Sequence, residues 1–329
     1  MSARMPIHVR PFEPARDWAA AAELIATTHV HDGVDWLPSA ELLEHDWTTI
    51  AGFEPARDVR VVDGPDGSLD ALANTDWRER DGRFVSHVIE IWVRPERRRQ
   101  GHGTAMLEWA EGHARELVRT GAAGRTDWPH TIGGHAITGV PGHAELAASH
   151  GYAIHHYGYD MLRSLAEPIE DRALPPGLEI RPVDPSQHRA IWDADVEAFQ
   201  DHPEPAQRTE DDFRSWFTSP ALDTSLFRVA WDGDEVAGSV LTSIIPEENE
   251  RLGVRRGWLD HVSVRRPWRG RGLAGALITS TLRLLRDRGM EEAALGVNAE
   301  NRTGALQLYE KLGFRQHREI VAYRKPLAP

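Results

Sequence analysis

Val264-Arg265-Arg266-Pro267-Trp268-Arg269-Gly270-Arg271-Gly272-Leu273-Ala274 decides how this chain is read. Before it, Trp258 to Val264 has the character of a strand. After it, Leu273, Leu277, Ile278, Thr281, Leu284 and Leu285 fall on one helical face of a run that ends near Arg288. The order is therefore strand, glycine turn, helix. Glycines let the backbone turn tightly with no side chain in the way. Such a turn exposes successive N–H groups beside a helix N-terminus, an anion site suited to a pyrophosphate. Arg269 and Arg271 add positive charge there. No Gly-Lys-Ser/Thr follows, so the turn is not a nucleotide P-loop, and the fit to a dinucleotide fingerprint is poor. Alone, the turn also reads as an ordinary surface loop.

It does not stand alone. Val93-Arg94-Pro95-Glu96-Arg97-Arg98-Arg99-Gln100-Gly101-His102-Gly103 is the same pattern 171 residues earlier. Ile7-His8-Val9-Arg10-Pro11 returns, at the same offset, as the segment opening at Glu179-Ile180-Arg181-Pro182. His150-Gly151-Tyr152 returns as Leu312-Gly313-Phe314 at an offset of 162, so the second copy is shorter in between. Three echoes in one order imply a duplicated domain. The expected organisation is residues 1–168, a Pro-rich linker 169–177, and residues 178–329. Each half reads as mixed α/β. Asp232-Gly233-Asp234 and Asp63-Gly64-Pro65-Asp66-Gly67 each separate two strand-like runs, and a second helix is expected from about Gly304 to Leu312, capped at its start by Asn301 or Thr303.

Composition narrows the function. The chain has 329 residues, 40% of them hydrophobic, and a formal charge of −13, which argues against a nucleic-acid partner. The negative charge suits a cationic substrate or simply solubility. There is no cysteine, which excludes disulfides, thiolate zinc sites and a cysteine nucleophile. No apolar run approaches the roughly 20 residues of a membrane-spanning helix, and Met1 to Trp18 has no signal-like apolar segment. The expectation is a cytoplasmic protein with no membrane partner. His29-Val30-His31-Asp32 has ligand types but no second cluster at zinc spacing, so no metal is expected.

Arg98-x-x-Gly101-x-Gly103 and Arg269-x-x-Gly272-x-Ala274, each after a strand ending in Val, resemble motif A of the GNAT acetyltransferases. Leu295-Gly296-Val297-Asn298, then Asn301, Ala305, Leu308-Tyr309 and Gly313-Phe314, resemble the family's motif B, with one residue more than usual between Asn301 and Tyr309. The resemblance implies two tandem mixed-sheet α/β domains of the acyl-CoA N-acyltransferase type. It implies acetyl-CoA as co-substrate and direct attack of a small molecule's primary amine on the thioester, by a monomer or homodimer. It further implies that the backbone of Val262 and Val264 lines the pantetheine arm, that Arg269, Gly270, Arg271, Gly272, Leu273 and Ala274 hold the pyrophosphate, with Asn301 nearby, and that Tyr309 protonates the departing thiolate. Asp260 is the candidate base, alone or through water, because period-two alternation puts it on the face of Val262 and Val264. His261 points the other way unless the strand carries a bulge. The alternative function is a non-catalytic CoA-binding sensor or scaffold.

The two halves differ. At the motif offsets, Tyr309 falls on Ala147 and Asp260 on Ile89, which can neither give nor take a proton. Trp128 to His143 carries Gly133-Gly134, Gly139 and Pro141 where the motif B strand is expected. The first half thus keeps a cofactor cradle in Val93, Arg98, Gly101 and Gly103 but reads as non-catalytic, with Glu90 or His102 as the competing source of an acid or base. Trp36, Trp47, Trp192 and Trp216 lie where an acceptor pocket is built, or in ordinary helix packing.

Overall fold

A computed structural model describes residues 7–300 and 304–328. The chain forms two compact units: Met1–His155, Thr209–Ser215 and Val321–Pro329 make the first, and His156–Arg208 and Trp216–Ile320 the second. The residues just before the Pro-rich stretch thus belong with the second unit, and two segments from the second half of the sequence belong with the first.

In the first unit, β1 (Arg10–Pro11), β2 (Val59–Asp63), β3 (Leu69–Arg80) and β4 (Phe84–Val93) form an antiparallel series. β5 (His130–Ile137) runs parallel to β4. One face is covered by α1 (Trp18–Asp32), α2 (Ala40–Thr49) and the short α3 (Pro55–Asp58). Trp47 is core: its ring packs at 5.9 Å from Phe12 and from Trp18, which answers the question the sequence left open for that tryptophan. α4 (His102–Thr120) buries Met106, Leu107, Ala110 and Ala114, at the three- and four-residue spacing a helix needs to bury one stripe. α5 (His143–Ser149) follows. The inserted Thr209–Ser215 segment is held by His45 Nε2 donating to Ser215 O (3.0 Å) and by Arg78 with Asp212 (3.2 Å).

The second unit takes most of β6 (Ala153–Ser164), then β7 (Glu179–Arg181), α6 (His188–Phe199), the end of α7 (Glu210–Thr218), β8 (Arg228–Asp232), β9 (Glu235–Ser243), α8 (Pro246–Leu252), β10 (Arg256–Val264), α9 (Leu273–Asp287), β11 (Glu292–Asn298), α10 (Ala305–Lys311) and the first half of β12 (Arg315–Pro326). Its strand order is β12-β6-β11-β10-β9-β8-β7, with β10 and β11 parallel. Leu277, Ile278, Leu282 and Leu285 of α9 are fully buried against Leu259, Ala293 and Leu295. Each such side chain contributes about 1.5–3 kcal/mol of burial. Among the described residues no helix is long and apolar enough to cross a membrane.

One expectation is corrected. The glycine-bearing stretch in the first half does not lose its strand: β5 runs through Gly133 and Gly134. Glycine usually weakens a strand, but here the neighbouring backbone leaves no room for a side chain. A Cβ on Gly133 would stand 2.2 Å from Tyr323 O, and one on Gly134 2.6 Å from Ile89 O.

Gly133→Val is therefore expected to lower the stability of the first unit by about 1–3 kcal/mol or more, the scale of overpacking. Thermal unfolding checks it; an unchanged midpoint would contradict the close approach.

Candidate active site

β10 and β11 part company early. Among the described residues they pair only at Arg256–Trp258 with Glu292–Ala294, after which β10 keeps its ladder to β9 but has no strand partner on its β11 side. Backbone N–H and C=O groups need partners, so the open edge of β10 offers hydrogen bonds to whatever lies in the gap. A cavity of about 560 Å³ fills that place. It is lined by Asp260, His261, Val262 and Val264 of β10, by the turn residues Arg269, Gly270, Gly272, Leu273 and Ala274, and by Tyr309 of α10. The expected site residues of the second half are thus brought together, with two exceptions. Arg271 stands exposed at the turn without lining the cavity. Asn301, like the candidate cap Thr303, lies outside the described residues.

The turn has the geometry of an anion cradle. Gly272 caps α9 with a left-handed backbone, φ +84°, and no side-chain cap hydrogen bond is made there among the described residues. Space beside Gly272 is open: no atom of the described residues lies within 4 Å of where a Cβ would sit. No acidic residue occupies the first helical turn, so the positive end of the helix dipole is not offset. Arg269 plays a different part from the expected one. Its Nε donates to Val264 O (2.7 Å), its Nη2 to Ala198 O (3.1 Å), and Nη1 pairs with Asp201. Its charge is compensated, and its side chain fastens the turn to the end of the strand. A cation that sequence reasoning missed is Arg172, from the Pro-rich stretch, which pairs with the exposed Glu170 at 2.9 Å. It lines the cavity against the first turn of α9, where Gly275 makes room for it: a Cβ there would lie 2.9 Å from its guanidinium.

Alternation fails at one residue of β10. Across the ladder, Leu259 faces Thr242 and His261 faces Leu241, so Asp260 is the extra residue of a bulge. Both Asp260 and His261 consequently reach the cavity, and the condition under which His261 enters the site is met. Asp260 is wetted at its surface but ringed by protein, and this loss of hydration pushes its carboxyl up to about 6, against a hydrogen bond from Ser243 and the nearby His261. Tyr309 is buried, its ring edge-on to Phe314 at 6.0 Å, and burial pushes its hydroxyl up to about 12. Asp195 and Asp201, from α6 and just after it, carried no sequence signal, because their partners lie more than 60 residues away.

The first unit holds its own cavity, of about 570 Å³, at the matching place. Val93, Arg98, Gly101 and Gly103 line it. Arg98 repeats the fastening, with Nε on Val93 O (3.2 Å) and its fork on Asp32 (2.6 and 2.7 Å). Arg99, φ +62°, occupies the left-handed position that Gly270 holds in the other copy, at a cost of about 1 kcal/mol. Ala147 and Ile89 line this cavity too. Register corrects the fixed-offset alignment, however. Ile89 faces Thr75 as Leu259 faces Thr242, and Glu90 faces Asn74 as His261 faces Leu241, so Asp260 has no counterpart at all. Glu90 is likewise wetted at its surface but ringed by protein, and this loss of hydration pushes it up to about 7 although Asn74 Nδ2 donates to it at 2.9 Å.

Comparison with known proteins agrees with this geometry. The family model described as "Acetyltransferase (GNAT) family" matches residues 37–128 and 188–314. A "Mycothiol acetyltransferase" of Geodermatophilus obscurus is 32% identical over 312 residues, covering 93% of this chain and 94% of that protein. A GCN5-related N-acetyltransferase from Sphaerobacter thermophilus superposes with a TM-score of 0.72 at 29% identity, over 98% of this chain and 96% of that one. A tandem GNAT protein from the clavulanic acid biosynthesis pathway has the same fold, with a TM-score of 0.68 at 18% identity over 98% and 99%.

The raised pKa of Asp260 makes a prediction that needs no substrate. The folded state holds this proton more tightly than the unfolded chain, so the group's stabilising contribution is complete below pH 4 and is lost as pH rises through about 6. Asp260→Asn should therefore unfold at a higher temperature than the parent at pH 7.5, with the gap closing at pH 4. A gap that does not change with pH would contradict it.

Proposed function

The chain belongs to the acetyltransferase (GNAT) family, and from that premise we propose that its second half transfers acetyl from acetyl-CoA to the primary amine of a small molecule. The observation that carries this reading is the single cavity in which an uncapped helix N-terminus, an unpaired strand edge, a carboxylate and a buried phenol meet. The residues present fit the co-substrate. The N–H groups at Leu273 and Ala274, with Arg271 and Arg172 near, would hold the pyrophosphate. The open edge of β10 at Val262 and Val264 would take the amides of the pantetheine arm. The thioester supplies an activated acetyl carbonyl.

On the acceptor side, Asp260 meets the incoming ammonium and is the proposed proton acceptor, directly or through a water. With a pKa near 6 it is a carboxylate at neutral pH yet basic enough to share a proton. The freed amine attacks the carbonyl carbon, the C–S bond breaks, Tyr309 gives its hydroxyl proton to the leaving sulfur, and the proton still carried by the acylated nitrogen returns the phenolate to the phenol, directly or through water. Burial keeps that hydroxyl protonated until needed. Nothing covalent forms on the protein, which suits a chain without cysteine. We further propose the organisation 1–168, 169–177 and 178–329 as two family domains joined by a linker, the first domain non-catalytic. The protein is proposed to act in the cytoplasm, as a monomer or homodimer. Kinship with mycothiol acetyltransferases makes the unacetylated amine form of mycothiol the first acceptor to try. A non-catalytic CoA sensor would have no use for Tyr309 and Asp260 facing one cavity.

The reading is tested by following thiol release from acetyl-CoA over a panel of primary amines. Release that depends on an amine is expected; CoA binding with no release for any amine would favour the sensor. Tyr309→Phe should bind CoA as the parent does and turn over roughly 10²–10³-fold more slowly. Parent-like turnover would remove Tyr309 from the mechanism.

A further inference from the structure

His261 and Asp195 have no part in the chemistry described so far, yet they form a hydrogen-bonded polar pair beside the cavity. Asp195 sits on α6 with its side chain 2% exposed, and His261 Nδ1 donates to its Oδ2 at 2.8 Å. A carboxylate only accepts, so the pair fixes the ring in the tautomer with hydrogen on Nδ1 and a lone pair on Nε2. Trp216 packs against the imidazole at 4.6 Å and Phe199 at 5.2 Å, which limits its rotation. His261 nonetheless lines the cavity beside Asp260, so Nε2 is what it can offer there. The bulge at Asp260 is what places two neighbouring proton-accepting groups at one point of the strand.

The pair is not a requirement of the fold. Asp195 lies six residues before Asp201, the carboxylate that fastens Arg269; six residues before Asp32, which fastens Arg98, stands Ala26. The position in register with His261 is Glu90. The first unit thus keeps the fastening and lacks the pair. A buried carboxylate is costly to desolvate, and a buried polar pair is often matched in stability by apolar residues. Its second oxygen, Asp195 Oδ1, is buried with no hydrogen-bond partner among the described residues, which adds to that cost. The charged or titratable groups around the ring are Asp195 from α6, Asp260 from β10 itself, and His202, which lines the same cavity after α6. α7 presents Trp216, and β9 presents Leu241.

We propose that His261 is a second catalytic residue on the acceptor side, receiving at Nε2 the proton that Asp260 takes from the ammonium, with Asp195 as the positioning residue that holds the resulting imidazolium. The N–H bond of the ammonium breaks with its electron pair left on nitrogen, and the proton leaves His261 for solvent. Asp260 is thereby returned to the charged form that meets the next ammonium. This rests on the acetyl-transfer reading above.

The test compares the parent with His261→Ala, His261→Gln and Asp195→Asn, using acetyl-CoA and whichever panel amine the parent uses fastest, from pH 5.5 to 9. His261→Ala is expected to bind CoA normally, to lose about 10–10²-fold in kcat, to shift the acidic limb of the kcat profile, and to regain part of its rate with added imidazole. His261→Gln should lose as much, and Asp195→Asn should fall between it and the parent. If both His261 variants keep the parent's kcat and pH profile, this inference falls while acetyl transfer stands. A loss that imidazole does not restore and Asp195→Asn does not share also overturns it, because that pattern marks a packing role. If the parent itself releases no thiol with any amine, the acetyl-transfer reading falls and this one with it.

Discussion

The bond from Arg269 to the carbonyl of Val264 fixes where the strand ends and the turn begins, and the rest of the site follows from it. With Nη1 on Asp201 and Nη2 on Ala198 O, one side chain ties the end of β10, the segment after α6 and the turn into a single corner. The corner aims the N-terminus of α9 into the gap between β10 and β11. It also sets α6 beside β10, which brings Asp195 within hydrogen-bond reach of His261. A charge-assisted, multiply bonded arginine resists displacement better than a single neutral hydrogen bond. The first unit builds the same corner from Arg98, Val93 and Asp32. The arginine of the repeated motif therefore acts chiefly as a fastening, which in the proposed function leaves the phosphates to backbone and to other cations.

Duplication of this corner explains both what the copies share and where they diverge. Each has a cavity beyond the end of its central strand, of nearly equal size. Only the second has a bulge in that strand, a carboxylate at the bulge, a histidine fixed from α6 and a phenol from the helix opposite. In the first, the helix opposite presents Ala147, and Glu90 is engaged by Asn74. Shape is retained in both copies, and the pairing of a bulge carboxylate with a phenol from the helix opposite is found in one.

Much of this was legible in the sequence because local pattern carries it. The glycine turn, α9 and α10 and the offset repeat are short-range signals, and they located the cavity wall in both halves. Features set by tertiary contact were not legible. Nothing in Leu259-Asp260-His261 announces a bulge, so alternation placed His261 on the wrong face. Asp195 and Asp201 reach their partners across 66 and 68 residues. The glycines of β5 looked like a lost strand because their purpose, room for the backbone of Tyr323, lies nearly 200 residues away. The same holds for Thr209–Ser215 and Val321–Pro329, whose place in the first unit depends on packing and not on local pattern.

The central claim is that one of two similar corners does the chemistry. It is tested most directly by acetyl transfer in Gly272→Val and Gly101→Val, each normalised to folded protein. Both residues have left-handed backbones that a β-branched residue resists, at φ +84° and +96°. The account predicts that Gly272→Val abolishes transfer and that Gly101→Val retains a measurable part of it. Transfer that survives Gly272→Val and vanishes with Gly101→Val would contradict it.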